Sequence, residues 1–206
     1  MNSPIRRVAA GCMLLVLALL ANITYVQAIQ ADDLNARSDN RRVLLDEYAR
    51  ERGPILVGDV PVAQSVPTEG EFAYLRQYPQ ALLYAHATGY YSFVFGRSAV
   101  ERSQNEILSG NDDRLFVRRL VDLVTNREPQ GGTVRLTLDP AAQEAAYDAL
   151  GDNKGAVVAL DPSTGAILAM VSKPSYDPNP LASHSVAEQQ EAWEALLADP
   201  NKPDRN

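Results

Sequence analysis

The chain has 206 residues, 46% of them apolar or aromatic, and a formal net charge of −7. That apolar share supports a sizeable core, and the acidic balance excludes a nucleic-acid partner, because neutralising phosphates takes clustered Lys and Arg. The single cysteine, Cys12, excludes an intramolecular disulfide and a Cys-based zinc cluster, and no metal or cofactor is expected.

Arg6 and Arg7 precede an uncharged run of 22 residues, Val8–Ile29. As a helix it spans about 33 Å, enough for a bilayer core. The arginines keep the N-terminus cytoplasmic and export the rest, and Tyr25 falls at an interfacial depth. A lipid bilayer is therefore one expected partner, through Val8 to Ile29, and the expected location is the plasma membrane, single-pass. A cleaved signal peptide is the competing reading, since Val26-Gln27-Ala28 has small residues where signal peptidase prefers them. Cys12 reads as a small apolar residue of the span, because a lipobox would place the apolar run before the cysteine. The sequon Asn22-Ile23-Thr24 lies inside the span and is discounted.

From Ala31 to Arg52 the chain is polar, with Val43, Leu44, Leu45 and Tyr48 fitting a short helix or an extended arm that Gly53-Pro54 ends. Ile55–Val66 reads as a β-hairpin turning at Gly58-Asp59. Phe72–Pro79 is aromatic-rich. The run Ala81–Gly96 (ALLYAHATGYYSFVFG) is expected to be strand on its aromatic content. Ala99–Leu108 predicts a short helix ending at Ser109-Gly110. A second helix is placed on Leu115, Leu120 and Leu123, with Arg118 and Arg119 opposite, ending before Glu128-Pro129. Gln130-Gly131-Gly132 reads as a linker or tight turn.

The last third has the clearest local chemistry. Thr133–Leu138 is an alternating, β-branched strand. Asp139 caps a helix with Pro140 at its first position, and Gly151 stops it. Gly155–Leu160 predicts a buried strand, Asp161–Gly165 a turn and Ala166–Ser172 the return strand, together a β-hairpin. Three prolines keep Lys173–Pro180 irregular, and Val186–Ala198 is a helix with Trp193 on its apolar side.

Isolated polar residues carry little. His86 and His184 have no ligand partner pattern. Asp46 with Glu47, and Asp112 with Asp113, read as solvated surface, since sequence neighbours do not face one another on a helix. Lys154 and Lys173 lack an accompanying nucleophile.

The run Gly155–Pro180 (GAVVALDPSTGAILAMVSKPSYDPNP) resembles the opening hairpin of the penicillin-binding transpeptidase domain, and Thr137–Leu150 resembles the segment leading into it. Upstream, RGPILVGDVPVA and TGYYS–FG–SAVERSQNEILSG look like the pedestal of class B penicillin-binding proteins. Asn22–Gln27 and Arg41–Tyr48 resemble the start of actinobacterial A-type members. The resemblance covers essentially the whole chain. It implies crosslinking of peptidoglycan stems by a serine that attacks D-Ala–D-Ala and that β-lactams acylate, using an S-x-x-K helix start, an S-x-N loop and a K-[ST]-G strand.

None of the twelve serines has Lys three places on, and no Lys begins K-[ST]-G. S-x-N occurs at Ser38-Asp39-Asn40 and Ser109-Gly110-Asn111, both ahead of the transpeptidase-like region, so neither is taken as functional. The expected catalytic, cofactor-binding and metal-binding sets are therefore empty, and the chain alone is expected to be inactive. The expected fold class is α+β: a transmembrane helix (residues 1–30, span 8–29), a mixed α/β pedestal or dimerisation-like domain (31–130), and the first hairpin and helices of a transpeptidase domain (131–206), truncated before S-x-x-K. The family further implies a cell-wall polymerase of the elongation or division machinery as partner, with stem peptides and β-lactams binding only the full-length protein. The alternative is a non-enzymatic extracytoplasmic module that binds such a polymerase or a divisome partner. The pedestal is expected to be ordered more independently than the C-terminal third, where the apolar face of the hairpin would lack its usual partners and its amides would exchange faster.

Overall fold

In the computed structural model, residues 3–30, 47–69, 72–112 and 130–205 are described. The expected helix over Leu115–Leu123, most of the arm before Tyr48 and the Ser38-Asp39-Asn40 match lie outside them. The chain divides into two compact units, Met1–Val43 and Leu44–Asn206.

The first unit is helix α1, Ser3–Ala28, within which Arg6–Ala28 is long and apolar enough to cross a membrane, with a mean hydropathy of 2.1. Its apolar side chains are exposed along its length, Leu14 and Leu17 by 67% and 59%.

The second unit is organised on a four-stranded sheet in which Tyr74–Gln77, Val60–Pro67, Ile55–Val57 and Val134–Leu136 lie side by side in that order. Strands β1 (Ile55–Val57) and β2 (Val60–Pro67) form the expected hairpin, turning at Gly58 with φ +60°. Strand β3 (Tyr74–Gln77) adds antiparallel to β2, and β6 (Val134–Leu136) lies parallel to β1. Ile55, Val57, Val62 and Ala63 meet Tyr84 and Ala87 of helix α2 (Ala81–Thr88), with Leu108 and Leu138 completing the core.

The strand expected over Ala81–Gly96 is corrected: its first half is α2, and only Tyr91–Ser92 (β4) and Gly96–Arg97 (β5) are extended. The aromatic count averaged two segments that Gly89 separates. Before it, three Ala and two Leu favour helix. Gly89 ends the helix at φ +75°, where a Cβ would sit 2.3 Å from Ser98 O. The helix expected over Ala99–Leu108 forms as two short pieces, α3 (Ala99–Ser103) and α4 (Asn105–Leu108).

Gln130–Gly132 is not a free linker. Gly131 N–H donates to Glu51 O and Gly132 N–H to Ile107 O, while Gly53 N–H donates to Leu108 O. Two chain passages and the end of α4 thus touch backbone to backbone. A Cβ on Gly131 would lie 1.9 Å from Leu108 O and 2.2 Å from Gly53 N, so only glycine fits.

Helix α5, Pro140–Leu150, begins as expected, with the Asp139 carboxylate accepting from Ala142 N–H at 2.8 Å. Strands β7 (Gly155–Leu160) and β8 (Ile167–Lys173) form the hairpin, with Gly165 at φ +73° in its turn. The buried strand expected at Gly155–Leu160 is corrected: Val158 and Leu160 are 57% and 58% exposed. Nor is the hairpin without partners. The face bearing Ala169 and Val171 packs on α5 and α2, while the opposite face, with Val158, Leu160, Ile167 and Met170, is open. Helix α6, Val186–Ala198, stacks Trp193 on Phe95 with ring centroids 4.7 Å apart.

A buried ion network and a carboxamide junction as the candidate functional site

Glu101, on α3, is fully buried and lies between two guanidiniums. Arg52 Nε reaches its Oε2 at 2.7 Å and Arg76 Nε its Oε1 at 2.7 Å. Arg52 also donates to Glu101 O and Asn105 Oδ1, both at 2.9 Å, and Arg76 Nη1 donates to Gly53 O at 2.9 Å. Tyr78 Oη donates to the same carboxylate at 3.2 Å. Burial by itself would raise the Glu101 carboxyl, but Arg76 and Arg52 outweigh it and hold the pKa below the ordinary value. Burial and the neighbouring Glu101 charge push the Tyr78 phenol well up, so it stays a donor.

The network extends along aromatic rings. The Arg52 guanidinium lies 4.3 Å from the Tyr91 ring centroid, and Arg97 5.4 Å from it. Arg97 Nη2 donates to both carboxylate oxygens of Glu47, and Tyr48 stacks on Tyr91 at 4.8 Å. Glu47 and Asp112, expected as solvated surface, are instead largely covered, at 17% side-chain and 9% exposure. The reason is tertiary: Arg97 is brought from 50 residues away to meet Glu47.

Three carboxamides join this core to the C-terminal region. Gln143 is fully buried; its Nε2 donates to Leu83 O of α2 and Met170 O of β8, and its Oε1 accepts from Met170 N–H, all within 2.9 Å. One side chain thereby takes the place of a neighbouring strand at Met170. Asn179 does the same beside β3, accepting from Tyr78 N–H at 2.9 Å and donating to Tyr78 O at 3.1 Å. Gln189, also fully buried, accepts from Ser92 Oγ and donates to Ser183 O.

The histidines sit at the same junction. His184 Nε2–H donates to Tyr74 O at 3.1 Å. The His86 ring lies edge-on to Tyr176, and its Nε2 is buried without a partner among the described residues. Burial lowers the His86 pKa, against a hydrogen bond to the Pro174 backbone that raises it. Ser109 Oγ donates to Glu106 O at the end of α4. A third S-x-N, Ser103-Gln104-Asn105, escaped the sequence reading; Asn105 is occupied by Arg52. Lys173 Nζ lies 3.7 Å from the Tyr147 ring centroid and donates to Gly151 O.

The network itself was not legible in sequence. Arg52 and Glu101 lie in the stretches that carry the pedestal resemblance, yet nothing in their spacing marks them as a pair. What the arrangement does chemically is hold a platform around one carboxylate, with Gln143 fastening the hairpin to α2 and Asn179 and Gln189 fastening the segments after it to Tyr78 and Ser92.

Comparison with known proteins matches both halves of that platform. Residues 52–134 match the family described as the penicillin binding protein A dimerisation domain, and residues 155–202 the penicillin binding protein transpeptidase domain. The chain is 51% identical to the peptidoglycan D,D-transpeptidase PbpA of Mycolicibacterium smegmatis, over 98% of this chain and 42% of that protein. Penicillin-binding protein A of M. tuberculosis in its imipenem acyl-enzyme complex superposes with a TM-score of 0.76 at 50% identity, covering 79% of this chain and 38% of that one. Pseudomonas aeruginosa PBP2 in complex with WCK 5153 gives 0.59 at 29% identity, over 75% and 35%. The chain thus spans well under half the length of these relatives.

Proposed function

This chain belongs to the class B penicillin-binding proteins, and we propose that it is the membrane-anchoring and pedestal portion of a peptidoglycan D,D-transpeptidase. The observation that carries the reading is the 51% identity to a D,D-transpeptidase over nearly the whole of this chain. The three-part division of the sequence, at residues 30 and 130, fits it: anchor, pedestal, and the start of the transpeptidase domain, which lends β6 to the pedestal sheet. Helix α1 anchors the protein with Arg6 and Arg7 on the cytoplasmic side, and residues from Ala31 onward lie outside.

In this reading the chain's own residues do no acyl transfer. None of its serines opens S-x-x-K, and no K-[ST]-G strand follows. Its work is mechanical: the buried ion network stiffens the pedestal, Gln143 ties it to the hairpin on which a transpeptidase domain is built, and Asn179 and Gln189 tie it to the segments that follow. Stem peptides and β-lactams are ligands of the longer protein, and a cell-wall polymerase is its partner in the membrane. The second reading, a stand-alone extracytoplasmic interaction module, draws on the same platform.

A fluorescent β-lactam separates chain from whole. The 206-residue chain should give no labelled band after denaturing electrophoresis, and the product that includes the downstream coding sequence should give one. A covalent label on the 206-residue chain, lost on mutating one of its own serines, would overturn the assignment.

A further inference from the structure

Beside the ion network, the β4–β5 ribbon and the broken helix α3–α4 border an open pocket of about 670 Å³. Strand β5 lends it Arg97, α3 lends Arg102 and Ser103, and α4 lends Asn105 and Glu106. Two of these residues also belong to the network: Arg97 holds Glu47, and Asn105 holds Arg52.

The lining is rich in donors that nothing uses. Arg97 spends Nη2 on Glu47, while its Nε is buried with no partner among the described residues. Arg102 is exposed and makes no hydrogen bond or ion pair among the described residues. Asn105 accepts from Arg52 through Oδ1, which leaves its amide nitrogen as a donor. Burial first, and then Asp204, raises the Tyr90 phenol against the opposing charge of Arg102, so this lining group is a donor as well.

Glu106 is the one carboxylate among the lining residues. It stands four residues beyond Arg102 across the break at Gln104, and the two form no ion pair among the described residues. Taking pocket and network together, the guanidiniums of Arg52, Arg76, Arg97 and Arg102 face only the carboxylates of Glu47, Glu101 and Glu106. The balance of charge and of donors therefore favours an anion.

We propose that this pocket binds an oxyanion, a phosphate ester or a carboxylate, carried on a hydroxyl-bearing body of the sugar or polyol class. Arg97 and Arg102 take the oxyanion, because planar forks of N–H donors match its oxygens. Glu106 accepts from a ligand hydroxyl and repels an anion that brings no hydroxyl with it. A bare ion would also leave most of the volume unfilled. The inference draws on the pocket alone and goes beyond either reading of the chain's role.

The test titrates the whole 206-residue chain in detergent micelles and reads the amides of Gly96 and Ser103. Glycerol 3-phosphate or glycerate should shift both amides saturably, and the tighter of the two identifies the oxyanion as phosphate or carboxylate. Glycerol should shift neither. Arg102→Gln, at an exposed position, should keep the melting temperature and weaken both oxyanion probes at least about tenfold. Glu106→Gln gives the sharper readout. It removes both the repulsion and the hydroxyl acceptor, so inorganic phosphate and acetate should bind more tightly while the hydroxylated probes do not. The preference for glycerol 3-phosphate over phosphate, or for glycerate over acetate, should fall at least about fivefold. No saturable shift with either hydroxylated anion, equal shifts with glycerol, unchanged affinity in Arg102→Gln, or an unchanged preference in Glu106→Gln would each overturn the proposal.

Discussion

At the scale of single residues, Glu101 decides most. It is buried between two guanidiniums, and removing its charge takes from Arg76 its carboxylate partner and leaves Arg52 only Glu47, 3.8 Å away. Glu101→Gln keeps the shape and loses the charge; it should destabilise the chain by about 3–5 kcal/mol. Glu47→Gln should cost clearly less, because the Glu47–Arg97 pair is partly reached by water. Urea unfolding in detergent, followed by the fluorescence of the single tryptophan, Trp193, measures both. Equal losses for the two variants would mean the network owes its strength to packing and not to charge.

Among the elements, the β7–β8 hairpin shows how a marginal unit becomes ordered. Two strands alone are barely stable in water. Here one face is covered by α5 and α2, and Gln143 makes three hydrogen bonds that span α2 and β8. A graded pattern of exchange within the hairpin is expected from these contacts. In the intact chain the Met170 amide should exchange slowly, and Gln143→Leu should speed it about tenfold or more, because a buried donor and acceptor lose their partner. The Ile55 and Val57 amides should be unaffected. Hydrogen exchange read residue by residue checks this; an unchanged Met170 rate would mean that packing alone seats the hairpin.

For the whole molecule, acid sensitivity follows from the junction. The His86 pKa is lowered in the folded state, chiefly by burial, so the folded protein favours the neutral ring. Its contribution is complete above the unfolded value of about 6.5 and is lost as pH falls through the lower, folded value. Glu101, also lowered, contributes above the ordinary carboxylate range and loses that only at more acid pH. The melting temperature should therefore decline in two stages on acidification. His86→Gln should flatten the first and leave the second. Thermal scans of both proteins from pH 7.5 to pH 3 test this, and an unaltered first stage in the variant would remove His86 from the account.

Local chemistry was readable directly from the chain. The apolar run of α1, the Gly58 and Gly165 turns, the Asp139 cap with Pro140, and the span of α6 depend on neighbours within a few residues, and the sequence alone determined them. The family resemblance belonged there too, since it rests on contiguous stretches. Tertiary structure decided the rest, because the energies involved act between distant residues. Glu101 is buried only because Arg52 and Arg76, 49 and 25 residues away, neutralise it. Gly131 must be glycine only because Gly53 and Leu108 arrive against it. The helix at Ala81–Thr88 sets one face against Ile55 and Val57, while the aromatic residues after Gly89 turn to Arg52 and Trp193. Whether a polar side chain is solvated or buried depends on which remote partner the fold delivers to it, and composition at the site itself does not contain that information.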